Sequence, residues 1–301
     1  MTARHVLGGE PESRDDVKHD DEDSAPPPLS TAESALLRTY FVNGLSLAPA
    51  GANVIMQLSR LEVGHGIADS TVTSGSLHRH PIKRTRTTLG YIMIALFGTP
   101  DERRALRHEV NRQHGHVRSS RDDDVPYDAF DPELQLWVAA CMYRGVSDSI
   151  EVLFGHLDDS IMDAIYSRSS RFATTLQVPP SMWPVDRVAF TAYWSEAERK
   201  VLMDDKTRAY LYDLASLRFL PAPFSRLFGP AHRFITAGFL PPRFRHELGL
   251  GWSERDERNF RRFTSALRFI NERLPRPVRE FPWNLVLRDT RRRLANGRPF
   301  V

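Results

Sequence analysis

The chain has 301 residues and a formal net charge of +3, with 41 basic side chains against 38 acidic ones. That length can bury a full hydrophobic core, and the near-balance of charge gives no polyanion-binding signature despite a sequence pI near 9.1. A single cysteine, Cys141, excludes an intramolecular disulfide and suits a reducing compartment, and no apolar run approaches the ~20 residues of a spanning helix. The expectation is a cytoplasmic protein, neither secreted nor membrane-spanning, with at most peripheral membrane contact.

Residues 1–29 are acidic and polar and carry the triple proline Pro26 to Pro28, so they are expected to form a disordered tail. Residues 30–301 are then one helical domain. Ser30-Thr31-Ala32-Glu33 has the N-cap serine and the glutamate three positions on that open a helix, followed by Leu36, Leu37 and Tyr40. From Pro49 to Ile67 a helical pattern carries Gly51, Gly64 and Gly66 among Val54, Ile55, Met56, Leu58, Leu61 and Val63. Each such glycine costs about 1 kcal/mol against alanine, which points to a close approach by another helix or by a flat ligand. Thr71 to His80 reads as a loop, and Lys83 to Phe97 as a helix whose later part is apolar all round and therefore buried.

Thr99-Pro100-Asp101-Glu102 supplies an N-cap, a proline at the first helical position and acids at the positive end of the dipole. A helix is predicted from there to about Val117. Leu106, Val110, His114 and Val117 recur at helical spacing, so His114 points inward, and His116 lies about 200° round the helix from it. Asp131-Pro132-Glu133 opens a further helix with Leu134, Trp137, Val138 and Cys141 inward. Helical patterns resume at Ser160–Leu176 and Val188–Met203, punctuated by Pro179, Pro180 and Pro184. The pairs Pro221/Pro223 and Pro241/Pro242 bound shorter helices. A last long helix starts at Ser253, with Phe260, Phe263, Leu267, Ile270 and Leu274 on one side. No strand-length alternation competes, so the fold class is all-α.

Arginines gather late, at Arg255, Arg258, Arg261 and Arg262, and again at Arg288, Arg291, Arg292 and Arg293. They read first as solvated helix faces and second as contacts to an acidic membrane surface. No aromatic-interleaved basic motif is present, so nucleic acid is not an expected partner.

A zinc reading fails on spacing. His108-Glu109 begins the zinc-protease pattern, but Arg112 stands where its second histidine belongs, and His78/His80 and His114/His116 are each two apart. Phosphate-loop, nucleophile-elbow and di-iron patterns are absent, and Cys141 lies on an apolar helical face. One inward histidine is left, together with the basic helix start Lys83-Arg84-Thr85-Arg86-Thr87-Thr88. A haem requires one axial imidazole, an apolar slot and a cation. On periodicity alone, His114 reads first as an ordinary core histidine.

Four ordered blocks change that balance: PIKRTRTTLGYIMIALFGTPDE, VNRQHGHV, YDAFDPELQLWV and AYWSE. The region from Gln57 to about Trp194 that holds them resembles the catalytic domain of bacterial rubber oxygenases (latex-clearing proteins) and fungal MpaB-type oxygenases. The resemblance implies an all-helical domain with a globin-like core, a b-type haem, and dioxygen-dependent oxidation or C=C cleavage of an apolar isoprenoid or lipid-like substrate. It also implies His114 as the iron ligand, in the asparagine-arginine-x-histidine block, with Arg84 steering dioxygen and Thr88, four residues on, donating a hydrogen bond near the distal side. A lysine that caps the iron in some rubber oxygenases corresponds to Thr87. Where many members have Gln-x-x-His-Pro, this chain has Gln57 followed by Arg60, and Ala139 follows Trp137-Val138 where many have histidine. Glu62 and Asp69 are the acids nearest to a proposed catalytic glutamate. Those departures keep a second reading open, a non-catalytic helical haem- or lipid-binding protein of the same fold.

Overall fold

Ser30 caps α1 (Thr31–Phe41) through the expected capping box, its hydroxyl accepting from Glu33 N while the Glu33 carboxylate accepts from Ser30 N. The computed structural model describes residues 30–68, 80–120 and 123–297. The expected tail, residues 71–79 of the expected loop, and Asp69 lie outside the described residues.

The Pro49–Ile67 pattern is not one helix but two, α2 (Ala50–Leu58) and α3 (Leu61–Ala68). Ser59 makes the break. Its hydroxyl donates to Met56 O, and its carbonyl accepts from Leu202 N at 3.1 Å, so a tertiary contact takes a carbonyl that a continuous helix would have used. The glycines serve helix packing. A Cβ on Gly51 would lie 2.7 Å from Thr236 Oγ1, and one on Gly64 would lie 2.6 Å from Thr207 Cγ2. A neighbouring helix, not a flat ligand, occupies the space that those two residues leave.

Next come α4 (Pro81–Phe97) and α5 (Pro100–His114). Thr99 caps α5 with a full capping box. The helix stops at His114, three residues short of the expectation, because the chain then pairs with itself. Ser119 N donates to Tyr127 O, Ala129 N donates to Val117 O, and Arg118 and Asp128 form an isolated antiparallel bridge. His116 is exposed.

The longest helix, α6 (Pro132–Phe154), is the axis of the core, and α2, α8 and α13 pack on it. Trp137 is fully buried on its inner face, in a cluster of three near-parallel rings with Trp194 at 5.3 Å and Phe244 at 6.3 Å. Beyond it run α7 (Asp159–Ser169), α8 (Arg171–Thr174), α9 (Arg187–Arg199), α10 (Asp205–Ala215), α11 (Ala222–Phe239), α12 (Pro242–Leu248), α13 (Glu254–Arg273), α14 (Arg276–Arg279) and α15 (Trp283–Ala295).

The helix at Ser253 is therefore not the last one. Sequence reading missed α15, which lies along α4 with Trp283 and Leu287 buried and the Trp283 indole donating to Asn43 O at 2.7 Å. The expected burial of the second half of α4 is explained by this cover: Met93, Ile94, Ala95 and Leu96 are all inaccessible. Among the described residues the chain is a single, almost entirely α-helical domain, and no helix is long and apolar enough to cross a membrane.

Candidate active site

Helical spacing on α4 puts Arg84 and Thr88 on one face, and the fold turns that face inward. Thr88 lines an apolar cavity of about 110 Å³ between α2, α4 and α6, together with Val54, Gln57, Leu89, Ile92 and Met142. Its hydroxyl makes no hydrogen bond among the described residues. Thr87, by contrast, is buried and spends its hydroxyl on Arg84 O at 2.9 Å. For scale, a cavity of about 150 Å³ takes benzene. This one takes a short apolar segment, not a macrocycle.

The last turn of α5 brings His114 within electrostatic reach of Arg84. Burial pushes the imidazole down to about 4, the Arg84 cation adds to the effect, and Asp128 pulls weakly the other way. The ring is therefore neutral at pH 7. Its Nδ1 is buried without a partner, and neither ring nitrogen is hydrogen-bonded among the described residues. Phe130 packs edge-on against the ring, with centroids 6.2 Å apart. Burial also holds the Arg84 guanidinium below its ordinary value, partly offset by Tyr210 of α10. Both side chains nevertheless keep some accessible surface. A neutral imidazole with an unpartnered nitrogen is a ready metal ligand.

The family model for the catalytic domain of the ER-bound oxygenase mpaB/B′ and rubber oxygenase matches residues 38–269. The chain belongs to this oxygenase family. The match extends past Gln57–Trp194 on both sides, from the end of α1 to most of α13. Two mycobacterial relatives, each an uncharacterised protein, one of Mycobacterium tuberculosis and one of Mycobacterium bovis, are 45% identical over 255 residues, covering 85% of this chain and 100% of each relative. No solved structure matches the chain.

Arg60 and Ala139, the two positions where the resemblance led to an expectation of histidine, are built into the core. Arg60 is buried, with its guanidinium 5.8 Å from the Trp137 ring centre and its Nε 3.9 Å from Glu62 Oε2. Ala139 is buried on α6. Glu62 itself has a side chain 39% exposed, and the structure gives it Arg60 as a partner rather than Arg84, Thr88 or His114. Cys141 is inaccessible, and burial pushes its thiol well up, as suits core packing.

Several groups that matter were missed by sequence reasoning. Tyr210 and Asp128 reach the site only through tertiary packing and a turn. Asn111, one turn before His114, is held by Gln177 Nε2, and Gln177 in turn exchanges bonds with Gln135 at 2.7 and 3.2 Å. That chain of amides ties α5 to α6 at the level of the histidine. A Gln–Gln–Asn set separated by up to 66 positions carries no local sequence signal. A larger groove of about 430 Å³ lies between α6 and α13, lined by charged residues such as Glu151, Glu257, Arg261 and Arg268, and it includes none of Arg84, Thr88 and His114. Among the described residues no three His, Cys, Asp or Glu side chains are grouped as a metal site. A haem iron calls for one axial side chain rather than three.

Proposed function

We propose that this protein is a haem-b-dependent oxygenase that uses dioxygen to oxidise, or to cleave at a C=C bond, an apolar isoprenoid or lipid-like substrate. Membership of the oxygenase family supports the reaction class. The observation that carries the cofactor is His114, a buried imidazole kept neutral and left without a hydrogen-bond partner beside a desolvated cation. Its donor chemistry fits the group: His114 would hold the iron, and Arg84 would offer positive charge to its anionic periphery or to dioxygen. When bound, a haem supplies iron able to activate dioxygen.

The chain's own residues do the rest. Arg84 opposes protonation of His114, so the imidazole stays available as a ligand. Thr88 presents a free hydroxyl to the apolar cavity, where it can orient a substrate segment. Val54, Leu89, Ile92 and Met142 exclude water from that segment. Glu62, with its side chain 39% exposed, is the weakest of the assigned groups, because a proton acceptor needs burial to raise its basicity. The globin-like arrangement of the core, the extent of the domain over 30–301 and a cytoplasmic location belong to the same reading. A second reading, a haem- or lipid-binding protein without catalysis, is favoured by one observation: Arg60, in place of the family's histidine, is committed to the Trp137 face.

Dioxygen uptake by haem-loaded protein separates the two. The oxygenase reading expects uptake that depends on an unsaturated isoprenoid such as squalene, is absent with the saturated analogue squalane, and falls at least about tenfold in Arg84→Ala. Stoichiometric haem without substrate-dependent uptake on any unsaturated chain would establish the binding-protein reading instead.

A further inference from the structure

From Leu214 to His246 the chain carries no Asp or Glu, but it has five arginines: Arg218, Arg226, Arg233, Arg243 and Arg245. That acid-free stretch of 33 residues contains α11. The helix divides at Gly229-Pro230. On the C-terminal side, Thr236, Ala237 and Phe239 are buried, and Gly51 of α2 fits against His232 and Thr236. Gly229 itself is buried, and a Cβ on it would collide with Ser216 O, which marks where the helix leaves the body of the protein.

The N-terminal side stands clear. Pro221, Ala222, Pro223, Phe224, Arg226, Leu227 and Phe228 are all exposed, with Phe224, Leu227 and Phe228 at 54%, 70% and 51%. Their spacing of three and four makes them one continuous apolar ridge. Phe or Leu exposed singly calls for no explanation, whereas three on adjacent turns do. Most arginines of the stretch are engaged: Arg218 with Asp213, Arg233 with Tyr212 and Ser216, and Arg243 with the Arg199 and Val201 carbonyls. Arg226, inside the ridge, has no partner among the described residues.

We infer that the N-terminal half of α11 is a membrane-docking element that seats Phe224, Leu227 and Phe228 in the interfacial region of an anionic leaflet, with Arg226 at the headgroups. The charge decides the occupant. An apolar ridge that carries an unpartnered arginine, on a stretch of chain without a carboxylate, complements a negatively charged bilayer. Placement agrees, since α11 crosses the start of α2, and Pro49 and Ala50 there line the apolar cavity. The inference goes beyond the oxygenase reading and does not depend on it.

The test is co-sedimentation of the full chain with vesicles of phosphatidylcholine alone or with a third phosphatidylglycerol. Wild type is expected to bind the anionic vesicles and to be released by salt. Phe224→Ser/Leu227→Ser/Phe228→Ser is expected to bind at least about tenfold more weakly, with an unchanged thermal midpoint because all three side chains are exposed. In Leu227→Cys carrying an environment-sensitive dye, the dye should shift to the blue on anionic vesicles only; Cys141 is inaccessible and leaves the label to the new thiol. Undiminished binding of the triple variant would overturn the inference. So would an absence of vesicle binding, including the case in which light scattering shows a wild-type dimer that the variant loses, which would make the ridge an interface between copies.

Discussion

A buried neutral histidine makes folding depend on pH in a way that can be isolated. His114 has an ordinary value of 6.5 and is held at about 4 in the folded cofactor-free protein. Its folded value is depressed, so the unfolded chain binds the proton more readily. The stability it carries is complete above pH 6.5 and is lost as pH falls towards 4. At ~1.36 kcal/mol for each pH unit, the whole effect is about 3 kcal/mol, a large share of the ~5–15 kcal/mol that holds a domain together. The wild-type curve alone would hide it. Asp148 has the opposite sign: burial raises it from 3.8 to about 6, so its contribution is present below pH 4 and lost as pH rises through 6. Urea unfolding of wild type and His114→Gln at pH 7, 6, 5 and 4 cancels Asp148 and every other shared group. Wild type should lose about 3 kcal/mol more than the variant across that range. Parallel curves would refute the claim that His114 is buried, neutral and opposed by a cation.

Four further outcomes follow from the same geometry. In Arg84→Met the loss of the neighbouring charge should raise the His114 titration above 4, read from its ring-proton shifts in NMR. Gly64→Ala should cost about 1–3 kcal/mol in chemical unfolding, because its Cβ would lie 2.6 Å from Thr207 and 2.9 Å from the Leu58 carbonyl. Leu106→Ala should cost about 2–5 kcal/mol, as the side chain is inaccessible on the inner face of α5. Cys141 should resist a thiol reagent in the native protein and react stoichiometrically in denaturant, since it is buried and its thiol is pushed up.

Much of the fold was legible because its signals are local. The capping boxes at Ser30, Thr99 and Ser253, and the cap at Asp131, each open a helix where the sequence placed one. Non-local pairing produced the errors. Nothing near Val117 announces that residues 117–119 will pair with 127–129 and end α5 early. The α2–α3 break likewise depends on Leu202, far along the chain. α15 was hidden by its own arginines, because a narrow stripe of Trp283, Leu287 and Thr290 suffices to cover α4. At the site, the inward turn of His114 was readable from the spacing of Leu106 and Val110, and its use as a ligand came only from resemblance. Tyr210, Asp128 and the Asn111–Gln177–Gln135 chain were unreadable, since tertiary packing alone brings them there.

The central claim, that His114 ligates a haem iron, is tested most directly by the absorption spectrum of the purified protein supplied with haem. One haem per chain is predicted, with a Soret band that moves on reduction and again on carbon monoxide, and with that axial signature lost in His114→Ala. A wild type that takes up no stoichiometric haem, or an alanine variant whose axial spectrum is unchanged, would contradict the account.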